Sequence, residues 1–478
     1  MKNPILSKVS AAIFVFCAAM AIASPAQTFT TLASFDGADG AVPLWMTLIQ
    51  ATDGNFYGTT LKGGTFGLGT VFSVTPGGTI TTLYNFCAQA NCADGELPYT
   101  GLVLATNGNL YGTTVAGGAN GRGTVFEITL GGTLTTLYSF CAQAGCSDGA
   151  SPNAGLVQGT DGRFYGTTFF GGTSDAGTVF NITAAGKLTT LHSFCTQANC
   201  ADGLNPRSGL IQATNGNFYG TAFNGGAVGV GSVFSITATG TLTTLYSFCS
   251  QLNCSDGSGP TGALVQTSSG NFYGTTSTGG GSSACGTIFR LTPAGVLTTL
   301  SVFSCSNGTS PYAGLVQGTD GNFYGTTYGG GAKAAGTVFE IAPTGKLTTL
   351  YSFCEQTNCT DGANTFGGLL QSTNGTFYGT TYVGGADGFG TVFSVATGLS
   401  PFVETLPTSG KVGAAVIILG TNLTGATSVT FNGTAATFTV VSSSEITTTV
   451  PTGATTGTVQ VTTPSGILKS NVGFRVKP

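Results

Sequence analysis

Charge is scarce in this chain. Only 7% of its 478 residues are Asp, Glu, Lys or Arg, and 14 basic against 18 acidic side chains leave a formal net charge of −4. Gripping nucleic acid or an anionic membrane surface takes a basic patch, and no basic run is present, so neither partner is expected. Histidine occurs once, at His192, which leaves little scope for imidazole acid–base chemistry or a histidine metal centre. Tryptophan also occurs once, at Trp45. Beyond the first residues there is no apolar pattern at helical spacing, no Gly-x-Ser-x-Gly elbow and no Gly-x4-Gly-Lys phosphate loop. Helical bundles, α/β-hydrolases and nucleotide-binding folds are therefore set aside, and no cofactor is expected.

What begins the chain is an address. Lys2 and Lys8 flank a polar start, and residues 9–23 form a short apolar run leading into small residues up to Ala26. This reads as a secretory signal over residues 1–26, cut near Ala23 or Ala26; the run is shorter than the ~20 residues a spanning helix needs. A retained anchor is the alternative. Cleavage removes Cys17, Lys2 and Lys8, so 12 of 13 cysteines remain and 12 basic against 18 acidic residues give −6. An even cysteine count in an exported chain predicts disulfides.

Glycine (78) and phenylalanine (33) dominate the rest of the chain, and they recur in register. Phe-Tyr-Gly-Thr-Thr or a close variant begins at Phe56, Leu110, Phe164, Phe218, Phe272, Phe323 and Phe377, at steps of 54, 54, 54, 54, 51 and 54. A period this long in a non-helical, turn-rich sequence means one small sheet per unit. In the third unit the strands are Gly155-Leu156-Val157-Gln158, Phe164-Tyr165-Gly166-Thr167-Thr168, Gly177-Thr178-Val179-Phe180-Asn181-Ile182 and Leu188-Thr189-Thr190-Leu191-His192-Ser193-Phe194. Asp161-Gly162 between the first two predicts a two-residue hairpin turn with both residues at positive φ. Apolar residues fall on both strand faces, so each sheet is packed on both sides, as in radially stacked blades.

The ends predict closure. Phe29-Thr30-Thr31-Leu32-Ala33-Ser34-Phe35 is a fourth-strand sequence with no unit of its own, and the seventh unit stops after Val392-Phe393-Ser394-Val395. The orphan strand completes the short blade and removes an exposed edge. The fold expected is all-β, a seven-bladed β-propeller over residues 27–398 with four-stranded blades; a β-solenoid is the rival.

The Gly-Leu-Val-Gln, Asp-Gly-Asn-Phe-Tyr-Gly-Thr-Thr, Gly-Thr-Val-Phe and Leu-Thr-Thr-Leu-Tyr-Ser-Phe strings, seen together over residues 314–327 and 336–353, resemble the GloVer repeats of exported bacterial proteins. The resemblance covers residues 28–396 and implies an extracellular location but no activity.

Five units carry Cys-x4-Cys after the fourth strand: Cys87 and Cys92, Cys141 and Cys146, Cys195 and Cys200, Cys249 and Cys254, Cys354 and Cys359. With histidine nearly absent, disulfides are favoured over metal. Cys305 aligns with the second cysteine of these pairs, while Cys285 lies between second and third strands; in an up-and-down blade both loops emerge on one face, which predicts a Cys285–Cys305 bridge. The same face carries Asp94, Asp148, Asp202, Asp256 and Asp361, with Asp39 and Asn307 at the equivalent positions. These aspartates either cap their own loops as Asx turns or line a ligand face; calcium ligands must converge on one ion, which equivalent positions on separate blades do not. Gln50, Gln158, Gln212, Gln266, Gln317 and Gln371, with Leu104 breaking the series, either line the channel or satisfy polar groups between blades. Trp45 sits where the first unit has one extra residue between Pro43 and Gln50, which predicts a bulge and hints at sugar stacking. His192 replaces a tyrosine and reads as a packed substitution.

After residues 398–401 the pattern changes to alternating strands near residues 416–423, 428–433, 445–451 and 457–462. They resemble an IPT/TIG domain over residues 400–478, which implies an immunoglobulin-like β-sandwich acting as spacer or adhesive module. No covalent or transmembrane anchoring is expected near Lys477-Pro478. The expectation for the whole is a secreted, monomeric, non-enzymatic binding or surface-structural protein, its partner an extracellular glycan or protein. The alternative is a polysaccharide-active enzyme using loop carboxylates, which must lie roughly 5–9.5 Å apart; Glu96 is the non-repeated acid beside the aspartate ring, and Glu127 and Glu340 fall in third strands.

Overall fold

The computed structural model describes residues 27–478; the expected signal, residues 1–26, lies outside them. The protein is all-β, with short 3-10 turns as its helical content among the described residues. Each repeat unit forms one antiparallel sheet in simple chain order, for instance Val157–Gln158, Phe164–Thr168, Thr178–Ile182 and Leu188–Ser193. The fourth unit adds a short strand, Leu204–Pro206, beside an extended Phe218–Asn224. All five residues of Phe164–Thr168 are buried, as expected for a sheet covered on both faces.

The Phe-Tyr-Gly-Thr-Thr string has a physical job at every position. Adjacent strand residues point to opposite faces, so Tyr165 reaches one neighbouring sheet and Phe164 the other. Tyr111 stacks on Phe164 at 4.0 Å, Tyr165 on Phe218 at 3.8 Å, and the series runs through Tyr324 on Phe377 at 4.1 Å. Gly166 gives room for the Phe180 ring: a Cβ there would lie 2.8 Å from Phe180 Cζ and from Leu156 Cδ2. Thr168 and Thr178 close the strand end with a 2.8 Å hydroxyl contact.

The ring closes on itself. Thr28–Ser34 pairs antiparallel with Thr391–Ala396, Phe29 opposite Val395, and completes the four-stranded sheet of the seventh unit. Phe35 then packs edge-on against Phe72 of the first unit at 5.1 Å. Consecutive sheets share hydrophobic clusters throughout, and the seventh shares one with the first through Tyr378, Val392, Phe56 and Phe72. A row of rungs has no such end-to-end contact, so the solenoid alternative is excluded.

Two local expectations need correction. The inner strand is two residues, Val157–Gln158, because the segments before it run backbone to backbone around the axis: a Cβ on Gly101 would lie 2.6 Å from the Thr47 carbonyl oxygen. The Asp161-Gly162 turn is a three-residue loop. Gly162 N–H donates to the Gly159 carbonyl (2.9 Å), Gly159 N–H donates to Arg163 (2.8 Å), and of the pair only Gly162 has positive φ, at 82°. A type I turn followed by a left-handed glycine accounts for both bonds. Asp161 instead accepts from Arg163 N–H at 3.2 Å and the Tyr165 hydroxyl at 2.8 Å.

Beyond the ring, two four-stranded antiparallel sheets face each other. One holds Glu404–Leu406, Ala415–Leu419, Glu445–Thr449 and Phe438–Val440; the other holds Thr434–Ala436, Ser428–Phe431, Val459–Thr463 and Gly466–Lys469. Alternate residues from both, among them Val416, Ile418, Val429, Phe431, Ile446, Val459 and Val461, form one core. This unit rests on the hairpin-turn face of the ring. Ser444 donates to the Thr52 carbonyl (2.7 Å), Thr421 meets Thr373 (2.8 Å), and Arg475 donates to the Thr214 carbonyl. These hairpins belong to the first, seventh and fourth units, on opposite sides of the ring, so the C-terminal unit spans its axis. Among the described residues no helix is long and apolar enough to cross a membrane.

Candidate functional site

Among the described residues six disulfides are formed, five within the Cys-x4-Cys pairs and one between Cys285 and Cys305. The five short ones close loops folded over the five aspartates, each of which is 0% exposed. Asp148 shows the pattern: Oδ2 accepts from Ala142 N–H (2.9 Å) and the Tyr138 hydroxyl (2.7 Å), and Oδ1 accepts from Gln143 N–H (3.2 Å). Asp94, Asp256 and Asp361 repeat it. These carboxylates therefore serve the loop backbone, and the ligand-lining reading of them is corrected: no surface is left to meet a ligand. At Asp202 the tyrosine is replaced by His192, whose Nε2 lies 3.2 Å from Oδ2, so this lone imidazole is tied to a structural carboxylate. Burial would raise Asp202, but hydrogen bonds from Thr196 and Gln197 outweigh it and hold the carboxyl low.

Five of the six glutamines are latches between sheets, while Gln317 donates to the Gly321 carbonyl of its own hairpin (3.2 Å). Gln158 Oε1 accepts from Thr106 N–H (3.0 Å) of the preceding unit, Gln212 from Thr160 (2.9 Å) and Gln266 from Thr214 (2.9 Å). Gln50 accepts from Thr373 N–H (3.0 Å), carrying the series across the closure. Glu127 is occupied by Asn109 (2.6 Å) and Tyr111 (2.8 Å), Glu340 by Asn322 (2.6 Å), and the backbone of Glu96 pairs with Ala116. Burial and then nearby Asp320 raise Glu340.

Where the repeat stops repeating is informative. The residue after the loop proline, or its counterpart, is Leu44, Tyr99, Asn153, Arg207, Thr261, Tyr312 or Phe366, and the residue after Phe-Tyr-Gly-Thr-Thr is Leu61, Val115, Phe169, Phe223, Ser277, Tyr328 or Tyr382. Both columns end at the disulfide-loop face, the first beside the axis. A cavity of about 340 Å³ runs along that axis, lined by inner segments of all seven units. At its mouth a further hollow of about 270 Å³ is bounded by Trp45, Tyr99, Arg207, Tyr312, Phe366 and Tyr382.

Trp45 is the inserted residue, and its φ of 53° marks the bulge. Its ring lies 5.2 Å from Tyr312, 5.4 Å from Phe366 and 6.2 Å from Tyr99. Phe366 also stacks on Tyr312 (5.2 Å) and contacts Tyr328 (4.6 Å) and Tyr382 (5.3 Å). Another arc is polar, with Asn153 and Arg207 lining the axial cavity; Thr261 beside them is buried and donates its hydroxyl to the Tyr312 carbonyl (2.7 Å). The Arg207 guanidinium lies over Phe169 at 5.0 Å and Phe223 at 4.4 Å. Burial pushes the Tyr99 phenol up, and the charge of Arg207 pulls the other way. Trp45 was legible as a candidate from the sequence; Arg207 and the other rings were not, although the two variable columns carried the signal.

No match was found among curated proteins. Among solved structures, the extracellular domain of a hybrid two component system from B. thetaiotaomicron aligns with a TM-score of 0.52 and 11% identity, over 93% of this chain and 58% of that one. A second such domain from the same organism gives 0.50 and 12%, over 94% and 58%. The chain thus spans little more than half the length of these structures, and at such identities they show a shared propeller-like, all-β fold alone. A family model described as the Gloeobacter/Verrucomicrobia repeat matches residues 18–158, 143–301, 196–393 and 270–456. The chain therefore belongs to the Gloeobacter/Verrucomicrobia repeat family.

Proposed function

We propose that this is a secreted, non-enzymatic binding protein: a seven-bladed β-propeller over residues 27–398 that takes its ligand at the axial mouth of the disulfide-loop face. Residues 400–478 act as an IPT/TIG-type immunoglobulin-like spacer against the opposite face. The observation that carries the reading is the convergence of non-repeated side chains, Trp45, Tyr99, Tyr312, Phe366 and Tyr382, on one hollow. Framework positions repeat because packing demands it, whereas these columns have no such duty. Concave aromatic surfaces with a few polar groups are what ligand sites are made of, and sugar rings present the C–H faces that aromatic rings stack on. Phe66, Phe170 and Phe389, 41–50% exposed on loops of the same face, extend the apolar rim. The C-terminal unit leaves this face free. Six disulfides suit an oxidising compartment.

Trp45 is the sole tryptophan, so its emission reports on the mouth and nowhere else. Oligosaccharides retained on a glycan array should shift that emission saturably, with no product released, and Trp45→Ala should abolish retention. Turnover of a bound polysaccharide would replace this reading with the enzymatic one.

A further inference from the structure

We infer that the ligand of this mouth is an acidic glycan whose carboxylate is held by Arg207, an inference that rests on the proposed binding role of the mouth. Arginine stays charged at any working pH and offers a planar fork of N–H donors matched to a carboxylate. A partly buried guanidinium normally has an acidic partner, but Arg207 has none. Among the described residues the one ion pair is His192–Asp202, and the Nε of Arg207 is buried without a hydrogen-bond partner. Its contacts are instead the Phe169 and Phe223 rings, which hold the guanidinium in place and leave its N–H groups for something that arrives.

The surroundings narrow the chemistry. A bare inorganic anion has no use for the aromatic rings around Trp45, and a neutral sugar leaves the fork unpaired. A uronic acid residue satisfies both arcs, its C–H face on the rings and its carboxylate on Arg207, with Asn153 flanking for hydroxyls. The mature chain's net charge of −6, 12 basic against 18 acidic residues, gives polyanions no long-range attraction, so this one contact must supply the preference.

The test titrates the full mature chain with an oligogalacturonate and with the neutral oligogalactan of equal length, read by Trp45 emission and calorimetry. The uronate should bind at least roughly tenfold more tightly than the neutral sugar, and Arg207→Gln should remove that margin, bringing the two affinities together. Equal affinity for both sugars, or an unchanged uronate titration in Arg207→Gln, overturns the acidic-glycan inference and leaves the mouth as a binding site. If neither sugar is bound, both readings fall. Should Arg207→Gln fail to fold by circular dichroism, the wild-type ratio of the two affinities decides alone.

Discussion

Tyr378 of the last sheet packs against Phe56 of the first at 4.2 Å, the rings tilted by 35°, repeating across the chain closure the contact that Tyr165 makes with Phe218 at 3.8 Å between consecutive units. The closing interface is built from the same parts as the internal ones, so the side chains leave the ring no weak seam. What distinguishes it is that its outer strand comes from the other end of the chain.

That strand is the first place to test. Phe35 is fully buried between the two ends of the ring. Phe35→Ala should cost about 3–5 kcal/mol, as buried phenylalanines do, and urea unfolding followed by far-UV circular dichroism should show the midpoint fall in a single transition.

The disulfides should differ in worth. Cys285–Cys305 spans 20 residues and Cys141–Cys146 only 5, so the chain-entropy view assigns about 3 kcal/mol to the former and about 2 to the latter. Denaturation of the double variants Cys285→Ser/Cys305→Ser and Cys141→Ser/Cys146→Ser should rank them in that order.

Position 192 offers a conservative exchange. Tyrosine donates to the loop aspartate in the equivalent places, as Tyr138 does to Asp148 at 2.7 Å. His192→Tyr should therefore change stability by less than about 1 kcal/mol, while His192→Phe, which takes a partner from the buried Asp202 carboxylate, costs about 1–3. Thermal melts of the two variants decide it, and neither should alter the Trp45 emission.

Glu404 ties folding to pH. Its carboxyl is raised from 4.5 to about 7 by burial, with Asn471 at 3.1 Å opposing. A folded-state value above the unfolded one means the group favours the fold fully below about pH 4.5, and that contribution is lost as pH rises through about 7. Wild-type stability should therefore decline by roughly 2 kcal/mol across that window from this group, and Glu404→Gln should flatten the decline. Unfolding midpoints at pH 5, 6, 7 and 8 for both proteins measure it.

Much of the architecture is readable in the chain itself. Repetition exposes the strands, the orphan segment at Phe29 predicts the closure, and the odd placement of Cys285 and Cys305 predicts their bridge because strand order fixes which loops share a face. The aspartates show their positions but not their orientation: only the folded loop reveals that Asp148 points inward to Gln143 and Ala142. The hairpin at Gly162 departs from expectation because a dipeptide signal does not count the loop residues around it.

Local pattern, then, determined the units, their number and their order, since strand alternation, turn chemistry and cysteine spacing act over a few residues. Tertiary structure alone decided the site. Trp45, Arg207 and Phe366 are far apart in sequence and meet only because the closed ring brings equivalent positions to one axis, where side chains freed from packing can differ from unit to unit.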